Sequence, residues 1–97
     1  QVSPDDFSNS AFPFGTSKEI QLGYATIRAS RISYVGELGW ELLIPSDVAA
    51  HVYETLVEAG QDLELTNVGM HAMNSLRIEK AYRHWGHDIA DEDTPIE

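Results

Sequence analysis

The chain has 97 residues, with 16 acidic side chains against 6 basic ones and a formal net charge of −10. That length holds at most one modest domain, and the acidic balance argues against nucleic acid or an anionic membrane as partner, because phosphate contacts need Lys and Arg. No apolar run is long enough to cross a bilayer as a helix, and with no cysteine there is no disulfide, thiolate metal site or cysteine nucleophile.

Residues 4–16 combine turn and capping residues with the apolar cluster Phe7, Ala11, Phe12 and Phe14; Asp5 or Asp6 is expected to cap a brief helix that ends before Pro13. A short strand is predicted over 18–22, and Gly23-Tyr24 reads as a hairpin turn into a second strand over 25–34. In that strand Ala25, Ile27 and Ala29 hold one phase, and Ile32 and Tyr34 hold the other. A slip of this kind predicts a bulge near Ser30. Trp40, Leu42 and Ile44 form a third strand that stops at Pro45, giving an antiparallel sheet with one buried face.

Ser46 is a helix N-cap candidate, with Asp47 at the positive end of the dipole. The helix that follows is amphipathic. Val48, Val52, Leu56 and Ala59 form its apolar stripe, with Ala49, Tyr53 and Val57 beside it; His51, Glu54, Thr55 and Glu58 lie opposite, and Gly60 ends it. A second helix is expected from near Asn67 to about Tyr82, burying Val68, Ala72 and Leu76 with Met73 and Ile78. The class is α+β: an antiparallel sheet with a hairpin, packed by two main helices. Beyond Gly86 the acidic residues Asp88, Asp91, Glu92, Asp93 and Glu97 read as a solvated tail.

Few constellations carry chemistry. No Ser/His/Asp arrangement and no phosphate-cradling glycine loop is present. His84-x-x-His87-Asp88, with His71 further back, matches no strong zinc pattern and reads as surface or hydrogen-bonding histidines, so no metal is assigned. In Arg77-Ile78-Glu79-Lys80, Arg77 is expected to pair with a carboxylate such as Glu41 while Lys80 reaches water. Tyr82 and Trp85 are either core filler or flat walls for a ring. The most informative run is Tyr34-Val35-Gly36-Glu37-Leu38-Gly39-Trp40-Glu41-Leu42, which holds a carboxylate between two glycines and beside aromatics. Such a carboxylate suits a planar ring with two parallel N–H groups, as on the 2-amino-4-oxo edge of a pterin. An ordinary turn has the same residues, and the run alone leaves both readings open.

Taken together, residues 31–45 (R-I-S-Y-V-G-E-L-G-W-E-L-L-I-P), Ala59-Gly60, residues 75–85 (S-L-R-I-E-K-A-Y-R-H-W) and 94–97 (T-P-I-E) resemble a known family. It is the folate-binding aminomethyltransferase domain shared by the glycine-cleavage T-protein and the sarcosine and dimethylglycine dehydrogenases. F-S-N-S-A-F-P-F at 7–14 adds to the match, and I-E-K-x-Y-R-H-W leans towards the sarcosine dehydrogenase side.

The resemblance implies an α+β fold, and it implies that residues 1–97 are a partial folate-binding domain cut from a longer chain. It implies tetrahydrofolate as cofactor here and FAD in the parent protein outside this segment. There the flavin oxidises an N-methyl group and folate takes the one-carbon unit. The expected folate-binding residues are Glu37 on the pterin and Tyr82 in the pocket wall, with Tyr34 and Trp85 as neighbouring aromatics. No catalytic residue falls in the segment, because the family's catalytic aspartate belongs to an earlier stretch, and the isolated chain is expected to be inactive. T-proteins carry an arginine ahead of the L-R pair where Met73 stands here, beside Asn74. Expected partners are small-molecule folate and the remaining domains of the parent. The implied compartment is the bacterial cytoplasm or mitochondrial matrix. Two alternatives stay open: a non-catalytic regulatory subunit of the pyruvate dehydrogenase phosphatase type, and a stand-alone aminomethyltransferase.

Overall fold

Alternation of apolar and polar residues builds the sheet. A computed structural model describes residues 2–96. It contains β1 (Ser17–Leu22), β2 (Ala25–Ser30), β3 (Glu41–Leu43), α1 (Ala49–Gly60), a 3₁₀ turn over Gln61–Leu63, and α2 (Met70–Glu79). The strands are antiparallel in the order β1-β2-β3. The α+β class therefore holds, with one three-stranded antiparallel sheet and two helices. The chain divides into two compact units: one comprises the residues up to Ser33 with Leu38–Asn67, the other Tyr34–Glu37 with the residues from Val68 onward.

In the first unit Ile20 faces Ile27 and Leu22 faces Ala25 across the hairpin, and these four are buried with Ala29. Val52 of α1 and Phe12 complete the core, with Phe7, Trp40, Leu42, Ile44, Val48 and Leu56 packed around it. The other face of the sheet carries polar cross-strand pairs, including Gln21 Nε2 donating to Thr26 Oγ1 at 2.8 Å. Gly23 has a φ of +58°, the conformation a two-residue hairpin loop needs at its first position. It must also lack a side chain, because a Cβ there would lie 2.2 Å from His51 Nε2. That imidazole accepts the Tyr24 N–H at 3.1 Å and stacks on the Tyr24 ring. His51 thus lies under the hairpin and not on the solvent side expected for it.

The aromatic cluster before β1 is tied down by Arg31. Phe12 and Trp40 meet edge to face at 4.6 Å between centroids, Phe7 packs on both, and the Arg31 guanidinium lies over Trp40 while donating to the Phe12 carbonyl at 2.8 Å. No helix forms here. Asp6 accepts the Ser8 N–H at 2.8 Å and Phe12 N–H reaches the Ser8 carbonyl, so a single turn suffices before Pro13. Asp5 instead accepts the Gln21 N–H at 2.7 Å, satisfying a donor on the outer edge of β1.

The expected bulge near Ser30 exists, but on the facing strand and not within β2. Gly15, with φ of +81°, donates to the Arg31 carbonyl at 2.9 Å while the Arg31 N–H donates to the Thr16 carbonyl at 2.9 Å, so Gly15 and Thr16 together oppose Arg31. The β1–β2 register runs unbroken from Ser17–Ser30 to Leu22–Ala25, and β2 stops there. The Ile32 N–H closes back on the Ser30 carbonyl at 3.1 Å, so the apolar phase changes in a tight turn centred on Arg31, opposite the bulge. The first helix also starts later than expected: Val48 is its N-cap and no side chain caps it, so Ser46 does not serve. Gly60 is the last helical residue and does not stop the chain by a left-handed turn; Glu64, with φ of +57°, does that. Gly60 is instead required because a Cβ would lie 2.6 Å from the Leu65 Cβ.

Candidate functional site

The second unit brings together the residues singled out around Glu37. Gly36 has a φ of +73°, so the chain turns before Glu37 and carries its side chain from a bend, not from a strand face. The carboxylate is exposed, and its Oε1 lies 2.8 Å from Lys80 Nζ. This hydrogen bond with Lys80, and then the ammonium's charge, lower the Glu37 pKa; the same contact raises that of Lys80.

Tyr34 and Tyr82 lie nearly parallel, 7° apart, with centroids separated by 6.4 Å in an offset stack. Both rings are part exposed. The Tyr34 hydroxyl donates to the Arg83 carbonyl at 3.1 Å, and the Arg77 guanidinium lies 6.0 Å from the Tyr34 centroid. Trp85 is 65% exposed and pairs through its backbone with Ile89, outside the two-ring stack. Glu37, Tyr34 and Tyr82 therefore belong to one unit, with Trp85 at its margin.

The end of α2 sets these positions. Ala81 adopts φ of +59°; its N–H reaches the Ile78 carbonyl at 2.9 Å and the Tyr82 N–H reaches the Arg77 carbonyl at 3.0 Å. That pair of bonds is a Schellman motif with alanine in the left-handed position. It makes Lys80 the C-cap and turns Tyr82 away from the helix. Nothing in Lys-Ala-Tyr announces it, because glycine is the usual residue there.

Arg77 is the one buried residue of α2, at 3% exposure. It donates to Asn74 Oδ1 at 3.1 Å, to the Tyr82 carbonyl at 2.9 Å and to Asp88 Oδ2. Asp88 Oδ2 also accepts the His84 N–H at 2.8 Å. The His84 bond and then Arg77 hold the Asp88 pKa down at about 2. Two expectations are corrected here. Arg77 pairs with Asp88 in place of Glu41, and Asp88 is a structural anchor and not part of a solvated tail. The helix was also expected to bury Val68, Leu76 and Ile78, yet these are 62%, 40% and 60% exposed. Ala72 is exposed too, and Met73 is half-buried. His84 and His87 stack on each other, and His87 Nδ1 lies 3.4 Å from Asp88 Oδ1. Among the described residues, no three potential metal ligands converge.

Comparison with known proteins extends this picture. The family model for the GCVT N-terminal domain matches residues 1–97. Human mitochondrial sarcosine dehydrogenase is 46% identical over 97 residues, covering 100% of this chain and 11% of that protein. The 4-methylaminobutanoate oxidase (formaldehyde-forming) of Paenarthrobacter nicotinovorans is 48% identical, covering 98% of this chain and 12% of its own length. Rat mitochondrial dimethylglycine dehydrogenase is 38% identical over 100% of this chain and 11% of its own. Similarity extends to a mouse pyruvate dehydrogenase phosphatase regulatory subunit and an aminomethyltransferase of Halothermothrix orenii. The chain thus spans about a tenth of the length of the dehydrogenases and oxidase it matches. It belongs to the GCVT N-terminal domain family.

Proposed function

We propose that this segment forms part of a tetrahydrofolate-binding wall in a flavin-dependent protein of the sarcosine and dimethylglycine dehydrogenase type. The observation that carries the reading is the Gly36–Glu37 turn beside the parallel Tyr34 and Tyr82 rings. The donor chemistry fits a pterin. A carboxylate accepts two N–H groups at once, and half-exposed tyrosines offer flat apolar surface to a ring. When bound, tetrahydrofolate supplies the acceptor for a one-carbon unit taken from an N-methyl group.

In this reading the segment binds and orients, and the redox chemistry belongs to FAD elsewhere in the parent. Glu37 sets the in-plane orientation of the pterin; Tyr34 and Tyr82 exclude water from beside it. Arg77 acts only through others, holding the Tyr82 carbonyl and covering Tyr34. The relatives' mitochondrial names, and the bacterial oxidase among them, support a mitochondrial matrix or bacterial cytoplasmic setting. Among the described residues no helix is long and apolar enough to cross a membrane.

The test is tetrahydrofolate affinity of the full-length protein beside its Glu37→Gln variant. Losing one charge-assisted contact is expected to weaken binding by roughly ten- to hundredfold. Equal affinity in folded wild type and variant would show Glu37 to be a turn residue only. Similarity to the mouse pyruvate dehydrogenase phosphatase regulatory subunit, 41% identical over 89% of this chain, supports a second reading as a catalytically silent regulatory relative. A full-length wild type that neither binds tetrahydrofolate nor oxidises an N-methyl amine would select it.

A further inference from the structure

Glu37 is one half of a built pair. The Lys80 stem lies directly against the Gly36 backbone: a Cβ at Gly36 would sit 2.7 Å from Lys80 Cγ, 3.1 Å from Cδ and 3.2 Å from its Cβ. Glycine is therefore needed at position 36 for two reasons, its positive φ and the lysine that occupies the space of a side chain. The Schellman turn at Ala81 fixes the base of that lysine, and Glu37 Oε1 holds its tip at 2.8 Å. A lysine restrained at base, stem and tip is unlike the freely rotating surface lysine that extends into water.

The pair has a chemical pattern. The two carboxylate oxygens and the adjacent ammonium offer two acceptors followed by a donor. A 2-amino-4-oxo-pyrimidine edge is the complement: the amino group and ring N–H donate, and the neighbouring oxo oxygen accepts.

We propose that Glu37 and Lys80 together read this edge, with Lys80 donating to the 4-oxo oxygen and so determining specificity against 4-amino analogues. The proposal deepens the pterin reading and rests on it. A neutral 4-amino ring has no N3–H, so it sets a lone pair against one Glu37 oxygen as well as a donor against the ammonium. Protonation of N1 and turning the ring over give the carboxylate its two N–H partners again, and Lys80 is then the group that discriminates. Turning the ring over in this way does not satisfy Lys80 in a tetrahydro-4-amino analogue. Its other edge places the N8–H beside the two donors, so it too lacks the acceptor.

The experiment measures binding of tetrahydrofolate and of its 4-amino-4-deoxy counterpart to the full-length protein, in wild type, Lys80→Met and Lys80→Arg. Methionine keeps an apolar stem of similar reach against Gly36 and removes the charged donor; circular dichroism melts confirm folding. Wild type is expected to prefer the 4-oxo ligand by roughly tenfold or more, the effect of one hydrogen bond to a charged group. Lys80→Met is expected to lose most of that preference, and Lys80→Arg, which keeps a donor, to retain it. A folded Lys80→Met variant with the wild-type preference, or a Lys80→Arg variant that behaves like methionine, overturns the role of Lys80 and leaves Glu37 standing. Absence of tetrahydrofolate binding in wild type overturns the pterin reading itself. Guanine carries the same edge, so guanosine is the third arm. Displacement of tetrahydrofolate by comparable guanosine would assign the site to a purine and overturn the pterin assignment.

Discussion

Replacing Ala81 with glycine tests the helix end that positions Lys80 and Tyr82. Ala81 holds φ of +59°, where a residue with a Cβ is less stable by about 1–2 kcal/mol than in the right-handed region. Glycine removes that cost, but it has more freedom in the unfolded chain, which takes back about 0.5–1 kcal/mol. Ala81 is exposed, so no packing is lost, and both capping bonds are backbone and persist. The net expectation is a gain of about 0.5–1 kcal/mol. For a cooperative unit of about 60–100 residues that raises the melting temperature by roughly 2–8 °C. The assay is thermal and urea unfolding, with amide exchange of the last turn of α2 to localise the gain. Ala81→Val is the control, because a β-branched residue tolerates this φ less well, and it should shift stability the other way. A loss of stability in Ala81→Gly, or shifts of the same sign in both variants, would refute the Schellman assignment.

Two further outcomes follow from the packing and the ion pair. The Asp88 pKa lies at about 2, below its ordinary 3.8, so its stabilising contribution is fully present above pH 3.8 and is lost as pH falls through 2. Asp88→Asn should therefore be less stable than wild type at neutral pH and should lose less stability between pH 4 and 2, as read by urea midpoints across that window. Phe12→Ala should cost about 3–5 kcal/mol, since the ring is fully buried against Phe7 and Trp40, whereas Phe14→Ala should stay within about 0.5 kcal/mol, since that ring is 72% exposed. Chemical denaturation of the two variants side by side decides this, and comparable losses would show that the core does not lie where Phe12 is placed.

The hairpin, its inward face and the amphipathic first helix follow from local rules written into the chain. Ile20, Leu22, Ala25, Ile27 and Ala29 alternate with polar residues, and a period of two admits only one buried face. Val48, Val52 and Leu56 recur at helical spacing and face the same core. The G-E-x-G turn was legible for the same kind of reason: Gly36 adopts the positive φ that its residue type allows, and Glu37 stands on the bend.

What tertiary structure decided were the partnerships between residues distant in the chain and the conformations that ignore propensity. No periodicity reveals that Arg77 is buried against Asp88, eleven residues on, because an ion pair depends on where a later turn returns the chain. Ala81 and Glu64 adopt left-handed backbone against their intrinsic preference, held by the bonds and packing around them. His51 lies on the polar side of a helical wheel, yet a glycine hairpin comes to cover it. The apolar stripe of α2 predicts burial only if something packs on it, and a stripe does not encode its own cover. The pairing of Lys80 with Glu37 belongs to the same class. Charge alone makes a lysine a surface residue, and only the close approach of its stem to Gly36 makes it part of the site.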